Sequence, residues 1–236
     1  MYGTLYLIPC PISDETAPWD VLPAANRAVM DSLDYFIVEN TRSARRFLSK
    51  AGIARPIDTL EFRELNEHTV AGREVEELVK PLVEGRSAGV VSEAGVPGVA
   101  DPGALVVEAC HRHGIRVVPL VGPSSVILAV MASGLNGQSF AFNGYLPVKP
   151  PERAKAIRFF ERRARSEGQS QLFIEAPYRN DKLLAQLLEV CAPETLLTVA
   201  ADLTGPTEQI VTRPVSAWRA AARPALGKRP AIFILG

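Results

Sequence analysis

The stretch AGVVSEAGVPGVADPGALVVEACHRHGIRVVPL, residues 88–120, decides the fold. Ala88 to Ser92 is a short apolar run of strand length. Asp101 and Pro102 stand where a helix N-cap and a first helical residue belong. Leu105 to Arg112 continues with helical spacing, and Gly114 ends the helix. Ile115 to Leu120 is apolar again. Strand, loop, helix and strand in this order predict a parallel sheet, because parallel neighbours need a long crossover between them.

The same alternation extends outward. Upstream, strands are expected at Thr4 to Ile8 and at Tyr35 to Glu39. Helices are expected from Leu22 to Leu33 with Asp20 as N-cap, from Thr41 as cap to Ala51 with Gly52 as stop, and from Val70 to Val83. Downstream, Ser124 caps a helix to Ser133, and helices follow at Glu152 to Ala164, Asp181 to Val190 and Val215 to Ala222. Strands are expected at Phe140–Leu146, Leu172–Glu175, Leu196–Ala200, Glu208–Thr212 and Ala231–Leu235. The pattern is α/β, and the style changes near Leu120 to Pro123. It reads as two lobes, 1–120 and 121–236.

Bulk properties narrow the function classes. The 236 residues carry 26 basic and 26 acidic side chains, so overall charge does not draw the chain to nucleic acid, although a local basic patch is compatible with that balance. Three distant cysteines, Cys10, Cys110 and Cys191, make no disulfide framework and suggest a reducing compartment. No apolar run has the length of a membrane span, and no signal sequence opens the chain; a cytoplasmic protein without membrane contact is expected. His68, His111 and His113 lack metal-ligand spacing, so no metal site is expected. Trp19 and Trp218 read as packing residues.

Three Gly/Pro-rich loops follow expected strands: Pro9 to Asp14, Ser92 to Gly103, and Val121 to Ser125. In open α/β sheets ligands bind beyond the carboxyl ends of strands. Glycine admits a close backbone approach, and a helix opening offers free N–H groups. Each loop alone reads equally well as a tight βα turn; the three together favour a site. The G-x-G-x-x-G fingerprint is absent, which disfavours a standard NAD-binding domain.

These loops carry a resemblance. The chain resembles the tetrapyrrole-methylase superfamily and, within it, the ribosomal RNA small subunit methyltransferase I family, which methylates a cytidine ribose 2′-hydroxyl of 16S rRNA. The similarity begins at Gly3-Thr4-Leu5-Tyr6 and the Pro9 to Ile12 loop, and continues through Glu39-Asn40-Thr41-Arg42 and Arg45-Arg46. It takes in the Ser92 to Gly103 loop, Val118-Pro119-Leu120, Gly122-Pro123-Ser124 and Gly144-Tyr145-Leu146-Pro147. Glu175 to Arg179 and Asp202-Leu203-Thr204 complete it.

The resemblance implies a two-lobed fold, each lobe a mostly parallel or mixed sheet with flanking helices, with S-adenosyl-L-methionine in a cleft between the lobes and a homodimer as the usual assembly. Carried over by position, the cofactor contacts are Pro11, Glu93, Ala94, Gly95, Val96, Pro97, Ser124, Ser125, Tyr145, Leu146, Ala176, Pro177, Pro230 and Ala231. The family usually has Gly-Asn at Ser13-Asp14, aspartate at Asn40 and at Glu93, threonine at Val96, serine at Ala176, histidine at Tyr178 and Arg-Glu at Ala201-Asp202. A divergent branch lacking the family's small C-terminal extension is therefore expected.

A ribose hydroxyl needs its proton removed or polarised. Glu39, at a strand end, is the first candidate for that role, with Arg42 beside it for a phosphate; Glu39 as a helix cap or as the ion-pair partner of Arg42 is the structural alternative. Lys155, Arg158, Arg162 and Arg165 follow 3, 4, 3 spacing on one helical face, preceded by Lys149 and Arg153, with Ile157, Phe160 and Ala164 on the buried side. Arg45 and Arg46 join Arg42 in a second cluster. Both clusters suit RNA phosphates, and both suit a solvated helix face. The leading expectation is an RNA 2′-O-methyltransferase. Methylation of a small, tetrapyrrole-like molecule or of a protein is the first alternative. A non-catalytic binding protein that kept the cofactor fold is the second.

Overall fold

Short apolar runs and longer amphipathic ones sort into two sheets, each with its own helices, in the computed structural model. It describes residues 1–65, 72–222 and 224–236. The chain divides into two compact units, Met1–Ser124 and Ser125–Gly236.

The first unit contains β1 (Thr4–Ile8), α1 (Pro18–Val21), α2 (Ala25–Ser32), β2 (Tyr35–Val38), α3 (Thr41–Ala51), β3 (Glu61–Glu64), α4 (Arg73–Val83), β4 (Ala88–Val91), α5 (Gly103–Arg112) and β5 (Arg116–Pro119). The strand order is β3-β2-β4-β1-β5, and every pairing is parallel. Inner strands β2 and β4 are buried at every residue, as a sheet covered on both faces requires. Side chains alternate between the faces. Tyr35 and Ile37 pack with Val79 and Leu82 of α4 and Val106 of α5, whereas Phe36 and Val38 pack with Met30 of α2 and Leu48 of α3.

The second unit contains α6 (Ser125–Ser133), β6 (Phe140–Tyr145), α7 (Pro150–Glu167), β7 (Ser170–Ile174), α8 (Asn180–Val190), β8 (Leu196–Ala201), β9 (Gln209–Pro214), α9 (Val215–Ala220) and β10 (Ala231–Leu235). Its order is β6-β7-β10-β8-β9; the β6–β7 pairing is parallel and the other three are antiparallel. Phe173, Leu187, Trp218 and Phe233 lie in its core, with the Trp218 indole N–H donating to the Leu197 carbonyl at 2.8 Å. Trp19 of the first unit donates to the Ala51 carbonyl at 2.8 Å. Both tryptophans are packing residues, as the sequence suggests.

Several expectations are corrected. The helix expected over 22–33 is α2, which begins only at Ala25; a separate one-turn helix, α1, lies before Pro23 and contains Asp20, which therefore does not cap α2. A helix running through Pro23 would lose a backbone hydrogen bond there. The cap of α3 is Asn40, not Thr41: its extended backbone directs Oδ1 to the Ser43 N–H at 3.0 Å. Gly52, at φ 61°, ends that helix as expected. Strand β3 was not foreseen. It is a mostly exposed edge strand of charged residues, anchored by Phe62 stacking on Phe36 at 5.7 Å. Val70, the expected start of α4, and His68 lie outside the described residues. Among the described residues no helix is long and apolar enough to cross a membrane.

Candidate functional site

In the first sheet all five strands end at the same edge. The connection leaving β1 passes over β4 to reach β2, and the one leaving β4 passes over β1 to reach β5. Neighbouring loops thus depart in opposite directions, which opens a crevice at the strand ends. A pocket of about 260 Å³ lies there, its wall formed by Cys10 to Asp14, Ser43, Arg46, Lys50 and Ser92 to Ala94. Pro11, Glu93, Ala94 and Arg46 of the expected site residues line it.

Backbone approach shapes this edge. The Cys10 N–H donates to the Gly95 carbonyl at 2.8 Å, tying the β1 loop to the β4 loop. Gly95 has φ 69°, and a Cβ there would sit 3.3 Å from the Pro123 carbonyl oxygen. At Gly122 a Cβ would fall 2.3 Å from the Pro9 ring. Only glycine lets the third loop, which leads to Ser124, come this close. Ala100 is held at φ 59°, a conformation costly for a residue with a side chain. Asp101 braces the same loop: its carboxylate accepts from the Gly98 N–H at 2.8 Å and the Gly103 N–H at 2.6 Å. Burial pushes the Asp101 carboxyl above its ordinary range, while those two N–H groups pull it down.

Two glutamates are tied together beside the pocket, side chain to backbone. Glu39, half-buried at the end of β2, accepts from the Glu93 N–H at 3.3 Å. Glu93 accepts from the Ser43 hydroxyl at 3.0 Å. Glu93 lines the pocket and Glu39 fixes the loop that carries it. Cys10 also lines the pocket, but burial pushes its thiol far up, so it is no nucleophile. Cys110 and Cys191 are buried as well, pushed up to about 11 and about 12.

The α3 cations separate. Arg46 Nη2 lies 3.2 Å from Asp14 Oδ2, and Lys50 Nζ donates to the Asp14 carbonyl at 2.5 Å. Arg45 turns to Asp58 and sits 5.8 Å above the Phe62 ring, while Arg42 is exposed. Asp14 closes the first of the three Gly/Pro-rich loops but is not among the expected site residues, and neither are Ser43 and Lys50. Lys50 carries a signal in its spacing, four residues beyond Arg46 and eight beyond Arg42.

In the second sheet, strand direction gathers a different set. Antiparallel β10 starts where β7 ends, Ile232 facing Ile174, and β8 ends there too, Ala201 facing Ala231. With Tyr145 opposite Ile174, one edge carries Tyr145, Leu146, Ala176, Pro177, Pro230 and Ala231. These are all the expected cofactor residues of this unit except Ser125. Charge braces this edge. The buried Glu175 accepts from the Ala176 N–H at 2.8 Å and from Arg179 at 2.9 and 2.6 Å. Its Oε2 has no hydrogen-bond partner and lies 4.0 Å from Arg153 Nη1. Asp202 pairs with Arg229, and its N–H donates to the Pro230 carbonyl at 3.0 Å.

Arg153 therefore leaves the RNA-facing set. It is 6% exposed, because it precedes Ile157 by four residues and shares its buried stripe. Lys149, Lys155, Arg158, Arg162 and Arg165 are exposed. Among the described residues no group of His, Cys, Asp and Glu has the arrangement of a metal site.

Residues 5–217 match the family described as tetrapyrrole (corrin/porphyrin) methylases. The ribosomal RNA small subunit methyltransferase I of Xylella fastidiosa is 34% identical over 202 residues, covering 86% of this chain and 69% of that protein. The protein of the same name from Vibrio cholerae is 34% identical over 212 residues, covering 90% and 69%. Among solved structures, the methyltransferase CobJ superposes with a TM-score of 0.63 at 18% identity, covering 100% of this chain and 93% of that one. The cobalt precorrin-4 methyltransferase CbiF gives 0.61 at 16%, covering 99% and 94%. These last two likenesses establish the fold. With the family match spanning most of the chain, this protein belongs to the tetrapyrrole (corrin/porphyrin) methylases and, within them, to the ribosomal RNA small subunit methyltransferase I family of methyltransferases.

Proposed function

We propose that the protein transfers a methyl group from S-adenosyl-L-methionine to a ribose 2′-hydroxyl of small-subunit ribosomal RNA. The observation that carries this reading is the identity of about a third, over nearly nine-tenths of the chain, with methyltransferases named for that RNA. The residues present fit the cofactor. Small side chains and backbone groups at Ala94, Gly95, Ser124, Ala176 and Ala231 suit an adenosine and an amino-acid tail. The residues expected to touch it are Pro11, the Glu93 to Pro97 loop and Ser124 in the first unit, and Ser125, Tyr145, Leu146, Ala176, Pro177, Pro230 and Ala231 in the second. When bound, the cofactor supplies an electrophilic methyl on a sulfonium.

The chain's own residues align the acceptor and take its proton. Glu93 faces the pocket and is the better placed of the two carboxylates to receive the hydroxyl proton, with Glu39 fixing its backbone. Arg42 and Arg46, with Lys149, Lys155, Arg158 and Arg162, supply phosphate contacts. A cytoplasmic homodimer completes the reading.

A labelled-methyl transfer assay on immature small ribosomal subunits, total RNA and soluble metabolites tests it. Label in RNA ribose is expected. Label confined to metabolites would assign a small acceptor. Failure to bind S-adenosylhomocysteine in calorimetry would instead indicate a fold kept without catalysis.

A further inference from the structure

We propose that Arg46 and Lys50 form a phosphate subsite on the pocket wall, and that Asp14 occupies it until an RNA phosphodiester displaces the carboxylate. The inference rests on the RNA reading above and names where that acceptor is gripped.

The argument starts from helical spacing. Arg42, Arg46 and Lys50 recur every fourth residue along α3, so they form one stripe. Arg46 and Lys50 are the members of that stripe that line the pocket. Arg45, off the stripe, is already engaged by Asp58 and Phe62. Two cations thus converge on one loop residue of the pocket rim.

What they hold there is weakly held. The Asp14 side chain is 86% exposed and that of Arg46 61% exposed, and ion pairs this wet exchange readily with other anions. Arg46 approaches the carboxylate at 3.2 and 3.4 Å, both from Nη2, without the parallel two-nitrogen geometry of a strong pair. Lys50 donates to the Asp14 backbone carbonyl, so its charge has no counter-ion in this contact. The other carboxylate of the pocket, Glu93, is bonded to the Ser43 hydroxyl and the exposed Arg46–Asp14 pair does not include it. A phosphodiester offers the same two-oxygen face as Asp14 with a fixed negative charge, and both Ser13 and Ser43 hydroxyls line the same space. The pocket's size agrees. About 260 Å³ is below the roughly 300–1,000 Å³ that encloses a drug-sized ligand, but it admits a phosphate group.

The test uses the full chain with S-adenosylhomocysteine present and a labelled single-stranded oligonucleotide from small-subunit ribosomal RNA, titrated over a salt series. Arg46→Gln and Lys50→Gln are each expected to weaken binding and to lower the slope of log K against log salt by about 0.7, the loss of one phosphate contact. Arg46→Lys should keep the wild-type slope. Asp14→Asn should tighten binding about threefold, the worth of an exposed pair. Thermal melting of each variant checks that the fold is intact. Unchanged slopes in both glutamine variants, or weaker binding by Asp14→Asn, would overturn the subsite. So would a loss of S-adenosylhomocysteine affinity in those variants, which would assign the cations to the cofactor. Failure of the wild type to bind any RNA removes the RNA reading and the subsite together, whereas RNA binding indifferent to these variants removes the subsite alone.

Discussion

The two sheets bring loops to an edge by different means. In the all-parallel first sheet every strand ends at the same side, so three loops crowd together and are kept in register by close backbone contact at Gly95 and Gly122. In the mixed second sheet the edge that carries Tyr145 and Ala231 collects both ends and starts of strands, β9 and β10 entering where β6, β7 and β8 leave. Charge braces the segments that meet there: Glu175 with Arg179 and Arg153, Asp202 with Arg229. The difference teaches how each edge fails. The first is vulnerable to added bulk, the second to removed charge.

Four substitutions break or sharpen that contrast. The largest effect is expected from Glu175→Ala, which strands the buried Arg153 guanidinium and frees the 176–179 turn. It should cost about 3–5 kcal/mol in denaturant unfolding. Glu175→Gln, which retains shape and one acceptor, should cost less; equal stability of the wild type and both variants would show that charge does not brace this edge. Next comes Gly122→Ala. Its Cβ meets the Pro9 ring at 2.3 Å, an overlap the loops relieve only by moving apart, at about 1–3 kcal/mol. A melting temperature unchanged by this methyl group would show that the loops have slack.

Smaller effects test what surrounds the first edge. Asn40→Ala removes the side-chain cap of α3 and should destabilise by about 1 kcal/mol, with Asn40→Asp nearly neutral because aspartate caps as well. Destabilisation by the aspartate equal to that of alanine would deny the capping role. Arg45→Ala breaks an exposed pair and is expected to change stability by no more than about 0.5 kcal/mol. A loss of several times that size would mean its packing over Phe62 holds strand β3 in place.

Much of this was legible beforehand because it is periodic or local. Strands β1, β2 and β4 announce themselves as apolar runs, and Gly52 and Gly114 mark helix ends. The loops after β1, β4 and β5 stand out by composition. Strand β3 was not legible, since Glu61, Arg63 and Glu64 have no strand signature and their order comes from pairing with distant β2. The burial of Arg153 was equally hidden. The nearby Lys149 and Lys155 are exposed cations, and its partner Glu175 is 22 positions away just past the end of β7.

From the sequence alone came the α/β class, the family, and the residue types able to take a cofactor and an anion, because hydrophobic period, turn chemistry and motif are properties of neighbouring residues. Only tertiary structure decided which cations remain available. Arg45, Arg46, Lys50 and Arg153 are alike as sequence, and their roles diverge according to which carboxylate, carbonyl or ring the fold sets within reach. An ion pair or hydrogen bond forms only within about 4 Å, and that separation is set by sheet order and register, which no local pattern encodes.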